Sequence, residues 1–256
     1  MATFQLTTNR NTGAKSPLWS ISKRFLYLMV AFIAAAMTLA ACVESDENEG
    51  NENGNGGFSG KRIKSTFITE ADGKTQKGEH TYNKDGMLVR EDWVYSWTSA
   101  KIYDVYTNNP DGTHAKWENF NEHGEQVLVY SYDANKKPIK AEGTIKNSNG
   151  THPITYEMTW ESGRKIRQVM KIGSGSSLVV VTFDISYDSN GRRTSTTETN
   201  STIGERKYTR AFNSDGTVQK VTVDPYPGYP STGFSQTFTW ENGKTPVNYL
   251  DDYTTY

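Results

Sequence analysis

A short turn-like phrase recurs along most of this chain: an aromatic residue, then Asn, Asp or Glu, then small or polar residues, and then Gly. Tyr82–Gly86, Tyr187–Gly191 and Phe212–Gly216 are complete copies, and the copies that begin at positions 82, 106, 132, 160, 187, 212 and 240 are 24 to 28 residues apart. Asn and Asp suit tight turns, and Gly adopts the left-handed conformation that closes a bulged hairpin loop. We therefore interpret the phrase as the turn of a β-hairpin and not as a ligand-binding site.

This spacing sets the number of strands. Two strands of about eight to ten residues and two short loops fill one interval between copies. Apolar and polar residues alternate within the intervals, as expected when one face of a strand is buried. Such faces are formed by Ile154, Tyr156, Met158 and Trp160, by Val179, Val181, Phe183, Ile185 and Tyr187, and by Val89, Trp93, Tyr95 and Trp97, the last interrupted by Glu91. The sequence therefore predicts an all-β domain, an up-and-down antiparallel meander of about 14 strands.

The edges of such a sheet favour closure. An open meander of this length would leave two unpaired edges, whereas a barrel has none. We predict a closed or nearly closed barrel, with a rolled sheet or a sandwich as the alternative. A membrane-spanning barrel needs an outward apolar band, and charges such as Arg206 and Lys207 fall on both faces of the predicted strands. This pattern disfavours a spanning barrel.

The N-terminal region has the features of a secretory signal. An apolar run from Phe25 to Ala41 follows Lys23 and Arg24, and residues 1–41 contain no acidic side chain. Its end, Leu-Ala-Ala-Cys at residues 39–42, resembles the lipobox of bacterial lipoproteins, in which the cysteine is acylated and becomes the new N-terminus. As a retained helix the run would be at the lower length limit for spanning a bilayer. We predict a signal peptide over residues 1–41 and a lipid anchor on Cys42, the single cysteine of the chain.

The segment after the anchor differs in composition from the rest. Residues 43–60 contain five acidic side chains, no basic ones and many Asn and Gly residues. Such a segment cannot bury enough apolar surface to fold, so residues 42–60 are predicted to be the lipidated cysteine and a flexible tether. Residues 61–256 form the single β domain. The chain as a whole has 28 basic and 29 acidic residues, a balance that gives no electrostatic footprint for nucleic acid.

Two of the repeated phrases carry a family resemblance. Tyr187-Asp-Ser-Asn-Gly-Arg-Arg and Tyr132-Asp-Ala-Asn-Lys-Lys resemble the tyrosine-aspartate (RHS-type) repeats of bacterial surface proteins. Together with the lipobox and the acidic tether, which resembles the surface-export signal of Bacteroidetes lipoproteins, the chain resembles a Bacteroidetes lipoprotein family of unknown function with a porin-like β-barrel fold. The resemblance implies an outer-membrane, lipid-anchored protein at the cell surface, with the periplasmic face as the alternative. It implies no activity.

Motifs for catalysis and metal binding are weak. The four histidines, His80, His114, His123 and His152, are far apart in sequence and are interpreted as turn or surface residues. Turns such as Asp188–Gly191 offer too few oxygens for calcium. No serine lies on a strand-to-helix elbow, and no glycine-rich phosphate loop opens a helix. We predict a protein that is not an enzyme, with no catalytic residue, metal or cofactor.

The aromatic residues are the best candidates for ligand contact, because Tyr and Trp combine a flat apolar face with a polar tip. Two segments stand out: a Pro-rich loop at residues 224–233 with Tyr226 and Tyr229, and residues 93–106 with Trp93, Tyr95, Trp97, Tyr103 and Tyr106. We expect binding of a glycan, a peptide or another envelope component. The alternatives are an assembly partner of an outer-membrane complex, and a hydrolase with paired carboxylates in the mouth of a barrel.

Overall fold

Fourteen antiparallel strands form a closed barrel in the computed structural model, which describes residues 60–121 and 124–243. The strands are β1 (Lys61–Glu70), β2 (Thr75–Tyr82), β3 (Leu88–Tyr95), β4 (Ile102–Asn108), β5 (His114–Asn121), β6 (Gly124–Tyr132), β7 (Pro138–Asn147), β8 (Gly150–Glu161), β9 (Arg164–Ile172), β10 (Val179–Tyr187), β11 (Arg193–Asn200), β12 (Gly204–Phe212), β13 (Val218–Val223) and β14 (Phe234–Asn242). Two single 3-10 turns, Gly175–Ser177 and Pro230–Thr232, lie in the connections.

The barrel closes because the first strand pairs with the last. Lys61 lies opposite Asn242 and Glu70 opposite Phe234, and every other strand pairs with its neighbours in the chain. The predicted all-β, up-and-down antiparallel barrel of 14 strands is confirmed, and closure removes the rolled-sheet and sandwich alternatives. Cys42, the predicted signal peptide and most of the predicted tether lie outside the described residues, as does the chain after Gly243.

The alternating pattern separates the inside of the barrel from the outside. Along β10, Val179, Val181, Phe183 and Ile185 are buried in the interior, and the residues between them face outwards. The outward face carries ion pairs between residues two apart on one strand, such as Lys77–Glu79 and Arg90–Asp92. The interior is filled by large side chains, among which Trp117 is fully buried.

The repeated phrase forms a hairpin turn, as predicted. In the copy at Asp188, the side-chain oxygen accepts hydrogen bonds of 2.9 Å from the backbone N–H groups of Asn190 and Arg192. Gly191 has a φ of 81°, in the left-handed region that favours glycine. Lys136 holds the equivalent place in another copy with a φ of 62°.

The aromatic residue of the phrase points into the barrel and ties two strands together. Tyr82 donates a hydrogen bond of 2.6 Å to the carbonyl oxygen of Ile63, and Tyr187 one of 2.9 Å to that of Lys165. Three further members, Tyr132, Trp160 and Trp240, donate to backbone carbonyls in the same way. We call these five residues the aromatic belt. The repeated aromatic residue therefore has a structural role. Each ring lies at the same end of the barrel, and its hydrogen bond holds the first residues of a strand in place.

Each strand that leaves a repeated turn starts with a bulge. The register shifts between Thr81 and Tyr82 where β2 meets β3, and equivalent shifts occur at the other copies. In β3 the shift turns Leu88 and Glu91 inwards and leaves Val89 only partly buried. The predicted face of Val89, Trp93, Tyr95 and Trp97 is therefore wrong at Val89, because one extra residue in a strand exchanges its two faces.

Candidate functional site

The two ends of the barrel are different. At one end, here called the repeat end, lie the repeated turns, the aromatic belt and the point where the described chain begins, with Gly243 donating a hydrogen bond of 2.9 Å to the carbonyl oxygen of Gly60. At the other, here called the loop end, lie the connections that include residues 71–74, 96–101, 173–178 and 224–233. Because the strands run up and down, both segments predicted to bind ligand have their connecting loops at the loop end.

Three of the predicted residues lie at this loop end. The rings of Tyr95 and Trp97 are 4.8 Å apart, and Trp97 remains 38% exposed. Lys74 lies over the Trp97 ring at 5.6 Å, and its hydrogen bond to Asp72 holds the pKa of that carboxyl below its usual value. Tyr229 is half-buried in the loop 224–233. That loop adjoins the turn at residues 71–74 through a hydrogen bond of 3.0 Å from Ala71 N–H to the Gly233 carbonyl oxygen.

The structure places Tyr226 inside the barrel. Its ring is 1% exposed, and its hydroxyl donates a hydrogen bond to Glu198. Its backbone N–H donates to the Thr232 hydroxyl at 2.9 Å, which folds the loop back on itself. The expectation that the loop displays Tyr226 is wrong, because the phenol instead satisfies a buried carboxylate.

The other three residues of the segment 93–106 point in different directions. Trp93 and Tyr106 are buried in the interior. Tyr103 lies on the outer wall, where it stacks on Phe120 at 4.8 Å and the Arg90 guanidinium lies 4.1 Å from its ring centroid. The predicted residues therefore do not form one platform. Tyr95, Trp97 and Tyr229 are partly or fully exposed at the loop end. Of the other four, Trp93, Tyr106 and Tyr226 are buried, and Tyr103 lies on the outer wall.

A buried polar cluster lies beneath the loop 224–233. Glu198 accepts a hydrogen bond of 2.7 Å from Arg206 Nε and further hydrogen bonds from the hydroxyls of Tyr208 and Tyr226. The guanidinium of Arg206 lies 4.4 Å from the centroid of the Tyr226 ring, and its Nη1 donates to the Thr232 carbonyl oxygen at 3.2 Å. Burial raises the pKa of both phenols. Both tyrosines are therefore hydrogen-bond donors at neutral pH, and Tyr226, the one within the loop, holds the loop onto the barrel.

A second buried cluster contains two facing carboxylates. Glu91 and Asp104 are direct cross-strand partners on β3 and β4, and both point inwards. Asp104 accepts hydrogen bonds from Trp93 Nε1 at 2.9 Å, Trp117 Nε1 at 3.0 Å and Asn119 Nδ2 at 2.9 Å. Burial, with Glu91 as the next cause, raises the pKa of Asp104 to about 8. The feature of the sequence that points to this cluster is Glu91, the acidic residue that interrupts the predicted apolar face of β3.

Two histidines are also interior residues. The His80 side chain is fully buried, with Nδ1 2.9 Å from Glu91 Oε1 and Nε2 3.0 Å from the Thr66 hydroxyl. His114 is buried beside the rings of Tyr106 and Tyr130. The interpretation of the histidines as turn or surface residues is wrong for these two, because inward-facing strand positions carry them.

These clusters have structural partners rather than the geometry of a metal centre. Among residues 60–121 and 124–243, no group of three or more His, Cys, Asp or Glu side chains is arranged to hold a metal ion. The facing carboxylates Glu91 and Asp104 lie in the barrel interior, where two indoles donate hydrogen bonds to Asp104. In the described part of the chain, no helix has the length and apolar character to cross a membrane.

Comparison with known proteins adds one similarity of structure. The chain matches no family model, and no curated protein sequence matches it. A crystal structure of a porin-like protein from Bacteroides uniformis is similar to 70% of this chain and 98% of that chain, with 11% sequence identity and a TM-score of 0.44.

Proposed function

We propose that this protein is a cell-envelope lipoprotein, anchored through Cys42, whose barrel binds an extracytoplasmic ligand at its loop end without catalysing a reaction. The observation that carries the proposal is the separation of the two ends. The chain from the anchor enters at the repeat end, and Tyr95, Trp97 and Tyr229 lie at the opposite end. An anchored barrel thus presents these aromatic residues away from the membrane.

The dimensions support this arrangement. A flexible tether the length of residues 43–60 has an r.m.s. span of roughly 24 Å. A strand of nine residues such as β10 adds about 30 Å along its own direction. The loop end is therefore within reach of ligands beyond the lipid headgroups.

The outer wall supports a barrel that stands beside the membrane rather than in it. Charged side chains occupy the outward face in the middle of several strands, including the pairs Lys116–Glu118, Arg167–Asp184 and Lys171–Glu157. In a spanning barrel these positions would face hydrocarbon, where charged side chains destabilise strongly. We assign membrane attachment to the lipid on Cys42 alone.

A glycan is the ligand class that the loop end fits best. The Trp97 indole offers an exposed flat ring, Tyr95 lies beside it, and the Lys74–Asp72 pair supplies charged hydrogen-bonding groups at 2.6 Å from each other. Flat aromatic faces with polar groups at their edges suit sugar rings, which present C–H groups on one face and hydroxyls at the rim. A peptide is the alternative.

A glycan array with the purified mature protein tests the proposal. We expect Trp97→Ala and Tyr229→Ala to reduce binding of any glycan that the wild type retains by about tenfold or more, as for central aromatic contacts in other interfaces. Phe67→Ala is the matched control, since Phe67 is 43% exposed but lies on the outer wall. Binding that survives both loop-end substitutions, or a wild type that retains no glycan, would reject the proposal.

The stacked pair on the outer wall supports a second candidate, an assembly partner of an outer-membrane complex. Tyr103 and Phe120 form an aromatic patch on the outer wall, near the loop end of strands β4 and β5. Cross-linking in intact membranes followed by purification should then recover one partner in constant ratio, and Tyr103→Ser should abolish that recovery. A partner recovered equally well with Tyr103→Ser would remove this candidate.

A further inference from the structure

Three buried cations lie together in the barrel interior at the repeat end. Lys165 is the second residue of β9, Arg193 is the first residue of β11, and Arg210 lies two residues before the end of β12. Each of the three is at most 9% exposed. Both guanidiniums donate to the Thr196 hydroxyl, at 3.1 Å from Arg193 Nε and 3.4 Å from Arg210 Nη1. We call these three residues the cationic cluster.

The cationic cluster calls for negative charge, because Lys and Arg are almost never fully buried unless an anionic group accompanies them. The acids that are buried among the described residues are Glu91, Asp104 and Glu198. Glu91 lies 2.9 Å from His80, two indoles donate to Asp104, and Glu198 is paired with Arg206. These three acids are engaged away from the cluster, so its counter-charge comes from another source.

The number of strands gives the interior room for more than the side chains of the wall. A barrel of about eight strands is just filled by its own side chains, and one of about 16 to 18 strands encloses an open channel. This barrel has 14 strands. Large side chains such as Trp117 fill the space beside the wall, yet even Lys165 is only 1% exposed. A segment of chain that enters the barrel accounts for this burial.

Residues 244–256, which lie outside the described residues, follow the last strand at the same end as the cationic cluster. They cannot extend the sheet, because β14 already pairs with β1 and β13 and a closed barrel has no free edge. Asp251 comes eight residues after Gly243, a distance of up to about 28 Å. Arg210 is two strands from β14 and Lys165 is five, and strands are spaced by about 4.8 Å. The cluster is therefore within reach of Asp251.

The composition of this segment suits the interior. Asp251 and Asp252 bring two negative charges, and Lys244 is the one base. The segment also has apolar and aromatic side chains, which suit the rings of the aromatic belt at this end: Val247, Tyr249, Leu250, Tyr253 and Tyr256. We propose that residues 244–256 insert into the repeat end of the barrel and place Asp251 and Asp252 against the cationic cluster.

The other acidic segment at this end fits the interior less well. The predicted tether, residues 43–60, has five acids but only Val43 and Phe58 as apolar side chains. In the anchored protein it also has to reach the membrane, which a tether inserted into the barrel could not do. The inserted segment closes the repeat end to solutes. This proposal does not depend on which ligand binds at the loop end.

Hydrogen–deuterium exchange of the full-length, lipid-anchored protein tests the insertion. We expect the amides of residues 247–253 to exchange roughly 100 times more slowly than those of an unfolded peptide, because an inserted segment is shielded from water until it leaves the barrel. The amides of residues 43–58 should exchange at the rate of an unfolded peptide. The amides of the strands report in the same experiment whether each variant keeps its fold.

Neutral variants of similar size test the contact with the cationic cluster. Asp251→Asn combined with Asp252→Asn should speed exchange of the segment about tenfold or more, because buried cations then lose their partner. Lys165→Met should act in the same direction from the wall, and its effect should not add to that of the two aspartate changes. Lys171→Met is the matched control and should leave exchange unchanged, since Lys171 pairs with Glu157 on the outer wall.

Three results would overturn the inference. The first is exchange of residues 247–253 at the rate of an unfolded peptide in the wild type. The second is protection that survives the two aspartate substitutions. The third is a protected tether that becomes free to exchange in Glu49→Gln combined with Glu52→Gln, since the tether would then be the segment that faces the cationic cluster.

Discussion

The facing carboxylates of the wall make the stability of this barrel depend on pH in an unusual direction. Asp104 keeps its proton in the folded protein up to about pH 8, whereas its ordinary pKa is 3.8. Between these values the folded state binds more protons than the unfolded chain, so the free energy of unfolding falls as pH rises. One proton corresponds to about 1.4 kcal/mol per pH unit. The loss is then on the order of 4 kcal/mol between about pH 5 and pH 8.

Exposed acids do not mask this effect. Hydrogen bonds within their own turns lower the pKa of several carboxyls, so their contribution to stability is present above the ordinary pKa and is lost only in stronger acid. The acids of this kind are Asp72, Asp111 and Asp215. The carboxyls that contribute between about pH 5 and pH 8 are those with a raised pKa: the buried Asp104 and the half-buried Glu70, whose pKa burial also raises. The Asp104→Asn variant separates the two contributions.

Urea unfolding followed by tryptophan fluorescence measures the effect in the wild type and two variants. Asp104→Asn removes the titrating group and should flatten the slope. It also loses the hydrogen bond from Trp93, because an amide nitrogen cannot accept, so near pH 5 it should be less stable than the wild type by about 1–3 kcal/mol. Glu91→Gln should narrow the pH range over which stability falls but should not abolish the fall. Burial is the larger cause of the raised pKa of Asp104, and the charge of Glu91 is the second. A wild type with constant stability from about pH 5 to pH 8, or an Asp104→Asn variant that keeps the slope, would refute the reasoning.

Two further predictions concern the backbone. Lys136 occupies the glycine position of a repeated turn at a φ of 62°. Lys136→Gly should therefore raise stability by about 1 kcal/mol and Tm by about 2–4 °C. Gly191→Lys, at a φ of 81°, should lower both by a similar amount, and unchanged Tm values in the two variants would contradict the role given to this position. Gly143→Ala would place a Cβ 1.7 Å from the carbonyl oxygen of Val127, and it should cost about 3 kcal/mol or more in urea unfolding. Wild-type stability in that variant would show that the strands can separate there.

The fold could be predicted because its signals are local. Turn chemistry at Tyr187–Gly191 depends only on neighbouring residues, and its regular spacing fixes the strand number and the antiparallel order. The bulges could not be predicted, since a single extra residue such as Val89 changes the face of every residue before it without altering the apolar count. Glu91 could be recognised as an interruption of an apolar face, but its neighbours His80 on β2 and Asp104 on β4 could not be predicted.

The site was harder to predict than the fold because it is assembled across the barrel. Tyr226 lies in a Pro-rich loop that has the composition of an exposed segment, yet Glu198 and Arg206 draw its phenol inwards. Those two residues face each other on β11 and β12, and only the closed wall brings them beneath the loop.

The orientation of the barrel relative to the membrane tests the central claim most directly. Single cysteines at Ser99→Cys, at the loop end, and Asn190→Cys, at the repeat end, can carry a fluorophore in the full-length protein reconstituted in vesicles with quencher-labelled lipids. We expect stronger quenching at position 190 than at position 99, and loss of membrane association with Cys42→Ser. Equal or reversed quenching, or membrane association that survives Cys42→Ser, would contradict a barrel anchored at its repeat end that presents its loop end to ligands.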